Sequence, residues 1–135
     1  MSTKMFVNLP VRDLKKSKAF FSALGFTFNP QFSNDDGACM VVSEHNFVML
    51  LTEPFFKTFL SKPMANARES TQVLIALSCD NRAEVEAKVN AALAAGGTTP
   101  RPAKDHGFMF QHGFDDLDGN AFEVFWMDEV AAAGS

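Results

Sequence analysis

The chain has 135 residues, 47% hydrophobic and 21% charged, with a formal net charge of −4 at pH 7. That length suits one compact domain or two small modules sharing a core, and it buries enough surface to need no stabilising metal or disulfide. The apolar content excludes intrinsic disorder, the acidic balance argues against nucleic acid as the main partner, and no apolar run approaches the roughly 20 residues of a membrane span.

The first segment, Met5 to Val11, alternates as a strand, with Pro10 near its end. Asp13 then precedes a stretch in which Leu14, Ser17, Phe20, Phe21 and Leu24 fall on one helical face, so Asp13 is the expected N-cap and Gly25 the stop. Phe26 to Phe28 reads as a short strand and Ser33 to Gly37 as a turn. Ala38 to Ser43 and Phe47 to Thr52 read as strands joined across Glu44-His45-Asn46. The order is β-α-β-β-β.

The second half repeats this pattern. Thr71 to Cys79 reads as a strand, Asp80 or Asn81 caps a helix through Leu93, and Gly96-Gly97 ends it. Phe108 to Phe114 and Ala121 to Met127 read as strands around the turn Asp115 to Gly119. Leu9-Pro10-Val11-Arg12-Asp13 against Leu77-Ser78-Cys79-Asp80-Asn81 gives an internal offset of 68. Two copies are too few for a solenoid, so two four-stranded sheets packed as a pseudo-symmetric pair are expected. Between them, Pro54 suits a first helical turn and Phe55, Phe56, Phe59 and Leu60 form an apolar stripe. That stripe either packs on a sheet or serves as a lid or subunit contact. Residues 64–70 read as a polar connector. The expected division is a single domain of residues 1–135, with module one at about 4–62 and module two at about 71–129.

Two cysteines, Cys39 and Cys79, lie 40 residues apart with no CxxC motif, and each sits in an apolar run. They read as buried thiols in a reducing cytoplasm. The opening residues also lack the regions of a secretory signal. Fifteen Phe and no Tyr exclude tyrosine acid–base chemistry and point to a Phe-rich core, with some rings lining an apolar cavity.

The sequence resembles the vicinal oxygen chelate superfamily, which includes glyoxalase I, extradiol dioxygenases and bleomycin-resistance proteins. The opening Phe6-Val7-Asn8-Leu9-Pro10-Val11-Arg12-Asp13-Leu14 resembles that family's first strand and helix cap. Phe20-Phe21 followed by Leu24-Gly25-Phe26 is similar to its helix ending. The stretch Phe114 to Glu123, with Asp116-Leu117-Asp118-Gly119-Asn120 at its centre, resembles its closing D-P-D-G-N hairpin, with Leu117 in place of the usual Pro. The resemblance implies an α+β fold in which tandem β-α-β-β-β modules form a curled mixed sheet around a cleft (glyoxalase-like). It also implies homodimers.

It further implies a divalent ion held by a His on the first strand, a Glu on the fourth, a His on the fifth and a Glu on the last. Carried over one at a time, these positions fall on Phe6, Leu50, Leu74 and Glu123. A divalent metal needs several N or O donors at about 2 Å, and Phe and Leu have none. The expected metal ligands are therefore none, and no cofactor is expected.

Alternation puts Phe6 with Asn8 on one face of the first strand, Leu50 with Val48 and Thr52 on the fourth, Leu74 with Ala76 and Ser78 on the fifth, and Glu123 with Ala121 and Phe125 on the last. The resemblance makes these four sets line one mostly apolar cavity, with Asn8, Thr52, Ser78 and Glu123 as sparse polar groups. A carboxylate in the run Ala121 to Met127 is costly unless paired or hydrogen-bonded, so Glu123 reads as a general base, a ligand anchor or a bonded structural carboxyl. A symmetric turn over Asp115 to Asn120 sets His112 opposite Glu123, a plausible proton-transfer pair. His45 and His106 read as solvated.

The preferred expectation is a cytoplasmic homodimer that binds a small apolar or aromatic molecule without metal, in the manner of bleomycin-resistance proteins. The alternative is a glyoxalase-like lyase or isomerase using Glu123 as base, with a displaced metal or none. A third reading is a purely structural homologue whose cavity is filled by Phe6, Leu50 and Phe125. Neither nucleic acid nor membrane is expected as a partner.

Overall fold

The computed structural model describes residues 3–130. The chain divides into two compact units, with the boundary between Asn66 and Ala67, inside the polar stretch 64–70. Each unit carries a four-stranded mixed sheet and a long helix, an α+β architecture in which neither sheet closes on itself.

The first unit runs β1 (Met5–Val11), α1 (Leu14–Ala23), β2 (Thr27–Asn29), β3 (Gly37–Val41), β4 (Asn46–Thr52) and the short α2 (Glu53–Lys57), with a 3-10 turn at Pro30–Phe32. Asp13 caps α1 as its composition predicts: its carboxylate accepts from the Lys16 backbone N–H at 3.1 Å. The helix stops at Gly25, whose φ of 98° is open to glycine and strained for other residues. The sheet order is β1-β4-β3-β2, with β1 parallel to β4 and the other pairs antiparallel. Phe20, Phe21 and Leu24 of the helical segment are buried with Leu9, Val11, Val48, Leu50, Ala38 and Met40 of the sheet. Pro54 does open α2, which packs against β1 and β4. Its stripe is half-buried at Phe55 and Phe56 and exposed at Phe59 and Leu60.

The second unit runs β5 (Leu74–Ser78), α3 (Arg82–Ala94), β6 (Lys104–Asp105), β7 (Met109–Asp115) and β8 (Ala121–Met127), in the order β5-β8-β7-β6. Asn81 is the N-cap, accepting from Glu84 N–H at 2.8 Å, while the Glu84 carboxylate accepts from Asp80 N–H at 2.9 Å. Val85, Val89 and Ala92 of α3 are buried with Phe114, Phe122 and Val124, and the Phe114 and Phe122 rings stack at 5.3 Å. The two-residue strand β6 leaves no periodicity in the sequence, and β5 begins at Leu74 rather than Thr71.

The β1–β4 register corrects one expectation. Phe6 pairs with Phe47, Asn8 with Met49 and Leu9 with Leu50. Partners across a pair share a face, so Leu50 and Thr52 lie opposite the face carrying Phe6 and Asn8. Leu50 is fully buried on the side covered by α1. The open face of the first unit instead carries Phe6, Asn8, Phe47 and Met49.

Candidate functional site

The open face of the second sheet is built from three strands. Leu74, Ala76 and Ser78 of β5 pair with Ala121, Glu123 and Phe125 of β8. Gln111 and Gly113 of β7 pair with Phe125 and Glu123 from the other side. The opposite face packs on α3 and carries Phe110, His112, Phe114, Phe122, Val124 and Trp126. Leu74, Ser78, Phe125 and Glu123 thus share one face, as alternation along the strands requires.

His112 is not part of it. The hairpin closes with Asp115 opposite Ala121, so His112 pairs with Val124, and Gly113 is the residue opposite Glu123. The shift comes from the turn. Asp116 accepts from the backbone N–H groups of Asp118 at 2.9 Å and Asn120 at 2.8 Å, and from the Asn120 side-chain amide at 3.0 Å. These bonds gather residues 116–120 into a five-residue loop, one residue shorter than the six-residue turn over Asp115 to Asn120 that the sequence suggests. One residue of register moves His112 to the other face.

The partner of Glu123 is Arg101, in the segment between α3 and β6. Arg101 Nε lies 3.6 Å from Glu123 Oε2, an ion pair too long for a hydrogen bond. Both atoms are buried with no hydrogen-bond partner. The rest of the guanidinium is well held: Nη1 donates to Asp115 Oδ1 at 2.9 Å, and Nη2 donates to the carbonyls of Phe114 at 3.3 Å and Phe122 at 3.2 Å. The Glu123 side chain is 15% exposed and that of Arg101 34%.

Gly113 makes the room. A Cβ added there would overlap Glu123 Oε2 and come within 2.7 Å of Arg101 Nη2. The carboxylate and guanidinium therefore occupy the volume that a side chain at position 113 would fill. A lone Gly inside the alternating strand Phe110 to Phe114 is the sequence signal for such a close approach. Arg101 itself leaves no such signal, because it comes from an irregular segment.

In the first unit, Phe6 and Phe47 stack at 4.7 Å, and Lys4 lies 5.9 Å over the Phe47 ring. Phe6 is 45% exposed. Asn8, on the same face, gives its amide N–H to the Phe6 carbonyl at 3.1 Å. Among the described residues, no group of three or more His, Cys, Asp or Glu could hold a metal ion. The corrected register does not change this chemistry. The residues that share a face with Phe6 on β4 are Phe47, Met49 and Leu51, which offer no nitrogen or oxygen donor. With Leu74 at the fifth-strand position and Glu123 already facing a guanidinium, the residues present do not fit the divalent ion that the resemblance implies.

Other reactive groups are quiet. Cys39 and Cys79 are free thiols. Burial pushes the Cys39 thiol above its ordinary range. Cys79 is pushed up to about 11, by burial first and then by the charges of Glu84 and Asp80. Neither is a ready thiolate at neutral pH.

Two units, each with a helix on one sheet face and the other face open, define the glyoxalase-like fold. Comparison with solved structures agrees. A hypothetical protein, SA1046, from S. aureus is 30% identical, with a TM-score of 0.78 over 93% of this chain and 95% of that one. A glyoxalase/bleomycin resistance protein/dioxygenase family enzyme from Burkholderia phytofirmans PsJN is 17% identical, with a TM-score of 0.77 over 93% and 99%. The fosfomycin resistance protein FosX from Mesorhizobium loti is 13% identical, with a TM-score of 0.70 over 98% of each chain. The family model described as bleomycin resistance protein-like N-terminal matches residues 3–43. No protein of curated function matches the sequence. Residues 3–43 thus match the bleomycin resistance protein-like N-terminal family, and the fold is that of glyoxalase/bleomycin resistance/dioxygenase proteins, consistent with the vicinal oxygen chelate superfamily.

Proposed function

We propose that this protein binds a small, largely apolar or aromatic molecule without a resident metal, as a cytoplasmic homodimer. One observation carries the reading: the carboxylates on the open face of the second sheet, Asp115 and Glu123, both face one guanidinium, among Leu74, Ala76, Ala121 and Phe125. An apolar surface with sparse polar groups is what a small-molecule site requires. The likeness to bleomycin resistance proteins supports small-molecule binding as the shared theme. Two free thiols suit a reducing compartment, and no helix among the described residues is long and apolar enough to cross a membrane. The exposed apolar residues Met5, Phe6 and Leu74 on the edge strands β1 and β5 support association of two chains.

The lyase or isomerase reading gains nothing further, since His112 lies on the opposite face from Glu123. The test is titration with indole and with 1-naphthol, followed by thermal shift and by NMR of the Leu74, Ala76 and Phe125 resonances. The expected result is a rise in Tm with shifts at those residues, abolished by Leu74→Glu, a substitution at an exposed position. Shifts confined elsewhere, or none with either compound, contradict the reading. Trp126 is a poor reporter because it faces α3 with Phe110.

A further inference from the structure

The Arg101 guanidinium has no role in an apolar binding face, yet it is among the most constrained side chains of the second unit. It donates to one carboxylate and two strand carbonyls and lies beside a second carboxylate. Its two carbonyl acceptors, Phe114 and Phe122, are direct partners across β7 and β8. The guanidinium therefore bridges both strands of the hairpin next to Gly113, the position that faces Glu123.

We propose that Arg101 is the built-in cation of this site: it takes the counter-ion role beside Glu123 and fixes that carboxylate over Gly113, a place for the acid that the chain itself supplies. The proposal rests on the metal-free reading above and adds the residue that makes it chemically workable. An isolated carboxylate in this surrounding is costly, and a nearby fixed cation offsets the cost. The alternatives for that charge are a bound ion or a ligand cation, and the chain itself supplies a third. Arg suits the task because its planar fork can serve two carbonyls, Asp115 and Glu123 together, which a Lys ammonium cannot match in direction. Arg101 is a positioning residue: it acts on ligands through Glu123.

Gly113 is the second half of the device. It is conformationally ordinary, with no positive φ, so only space explains a glycine in the middle of β7. The space is filled by the Glu123 carboxylate and by Arg101 Nη2. The remaining charge is also informative. One guanidinium faces two carboxylates, Asp115 and Glu123. The cluster keeps a net negative charge and is no anion site.

The experiment is a double-mutant cycle on the full chain, with Arg101→Met, Glu123→Gln and both together, read by chemical denaturation. A purely structural Arg101 makes the two losses additive. The built-in cation makes them non-additive: Arg101→Met leaves Glu123 unpaired, and adding Glu123→Gln restores part of the loss. A coupling on the order of tenfold in the unfolding constant is expected. Arg101→Lys recovers part of the loss by restoring the charge. Additivity within about twofold, or no recovery with Lys, overturns the proposal. Should Arg101→Met fail to fold, folding of the double variant is itself the rescue, and failure of both with no gain from Lys overturns it. Metal uptake by the wild-type protein counts against the metal-free reading. Additivity in the cycle counts against Arg101 alone.

Discussion

Glu123 persists on an apolar strand because its neighbours leave it both room and charge. Gly113 supplies the room and Arg101 the charge, and the two requirements fall on different elements. Gly113→Ala therefore forces the carboxylate and guanidinium aside. It should destabilise the protein by about 1–3 kcal/mol, the usual cost of overpacking, measured as a lower midpoint in urea. A second carboxyl has its own signature. Burial pushes Asp116 up to about 6, against the bonds it accepts from Asn120 and Asp118. A raised carboxyl pKa means the folded state holds the proton more tightly. Its stabilising contribution is full below pH 3.8, where both states are protonated, and is lost as pH rises through about 6. The gap corresponds to about 3 kcal/mol. Carbon-detected NMR should place the Asp116 midpoint near pH 6, and denaturation from pH 4 to 7 should show this loss. An ordinary midpoint near 3.8 contradicts it.

At the level of elements, what the sequence made legible was whatever has a period or a cap. β1 and β8 alternate, α1 and α3 carry their apolar stripes, and Asp13 and Asn81 cap as their side chains predict. Asn81→Ala should cost about 1 kcal/mol with no change at the open face, measured by denaturation and by an unshifted Phe125 resonance. The register of each hairpin was less legible, because it depends on loop length and bonding rather than on pattern. The loop at residues 116–120, closed by Asp116, moved His112 off the Glu123 face. The resemblance, laid over alternation within each strand, also placed Leu50 with Phe6, where the actual pairing is Phe6 with Phe47. β6 has two residues and no period to read. Arg101, just before it, was invisible for the same reason. The buried acid announced that a partner was needed, and the glycine opposite it announced a close approach, but neither named the residue.

For the whole molecule, the duplication explains the architecture. The 68-residue offset in the sequence becomes two units with the same order of elements, each leaving one sheet face open. The exposed apolar residues of those faces and edges call for a covering surface, which the proposed homodimer would supply. Light scattering should give twice the 14.8 kDa chain mass; a monomer at micromolar concentration contradicts the homodimer. The central claim is chemical: at the positions where relatives are expected to chelate an ion, this chain presents Phe6, Leu74 and an acid facing its own arginine. Isothermal titration of chelator-treated protein with Ni2+, Zn2+ and Fe2+ tests it most directly. The account predicts no stoichiometric binding, with wild type and Glu123→Gln alike. One ion bound per chain, lost on Glu123→Gln, contradicts it.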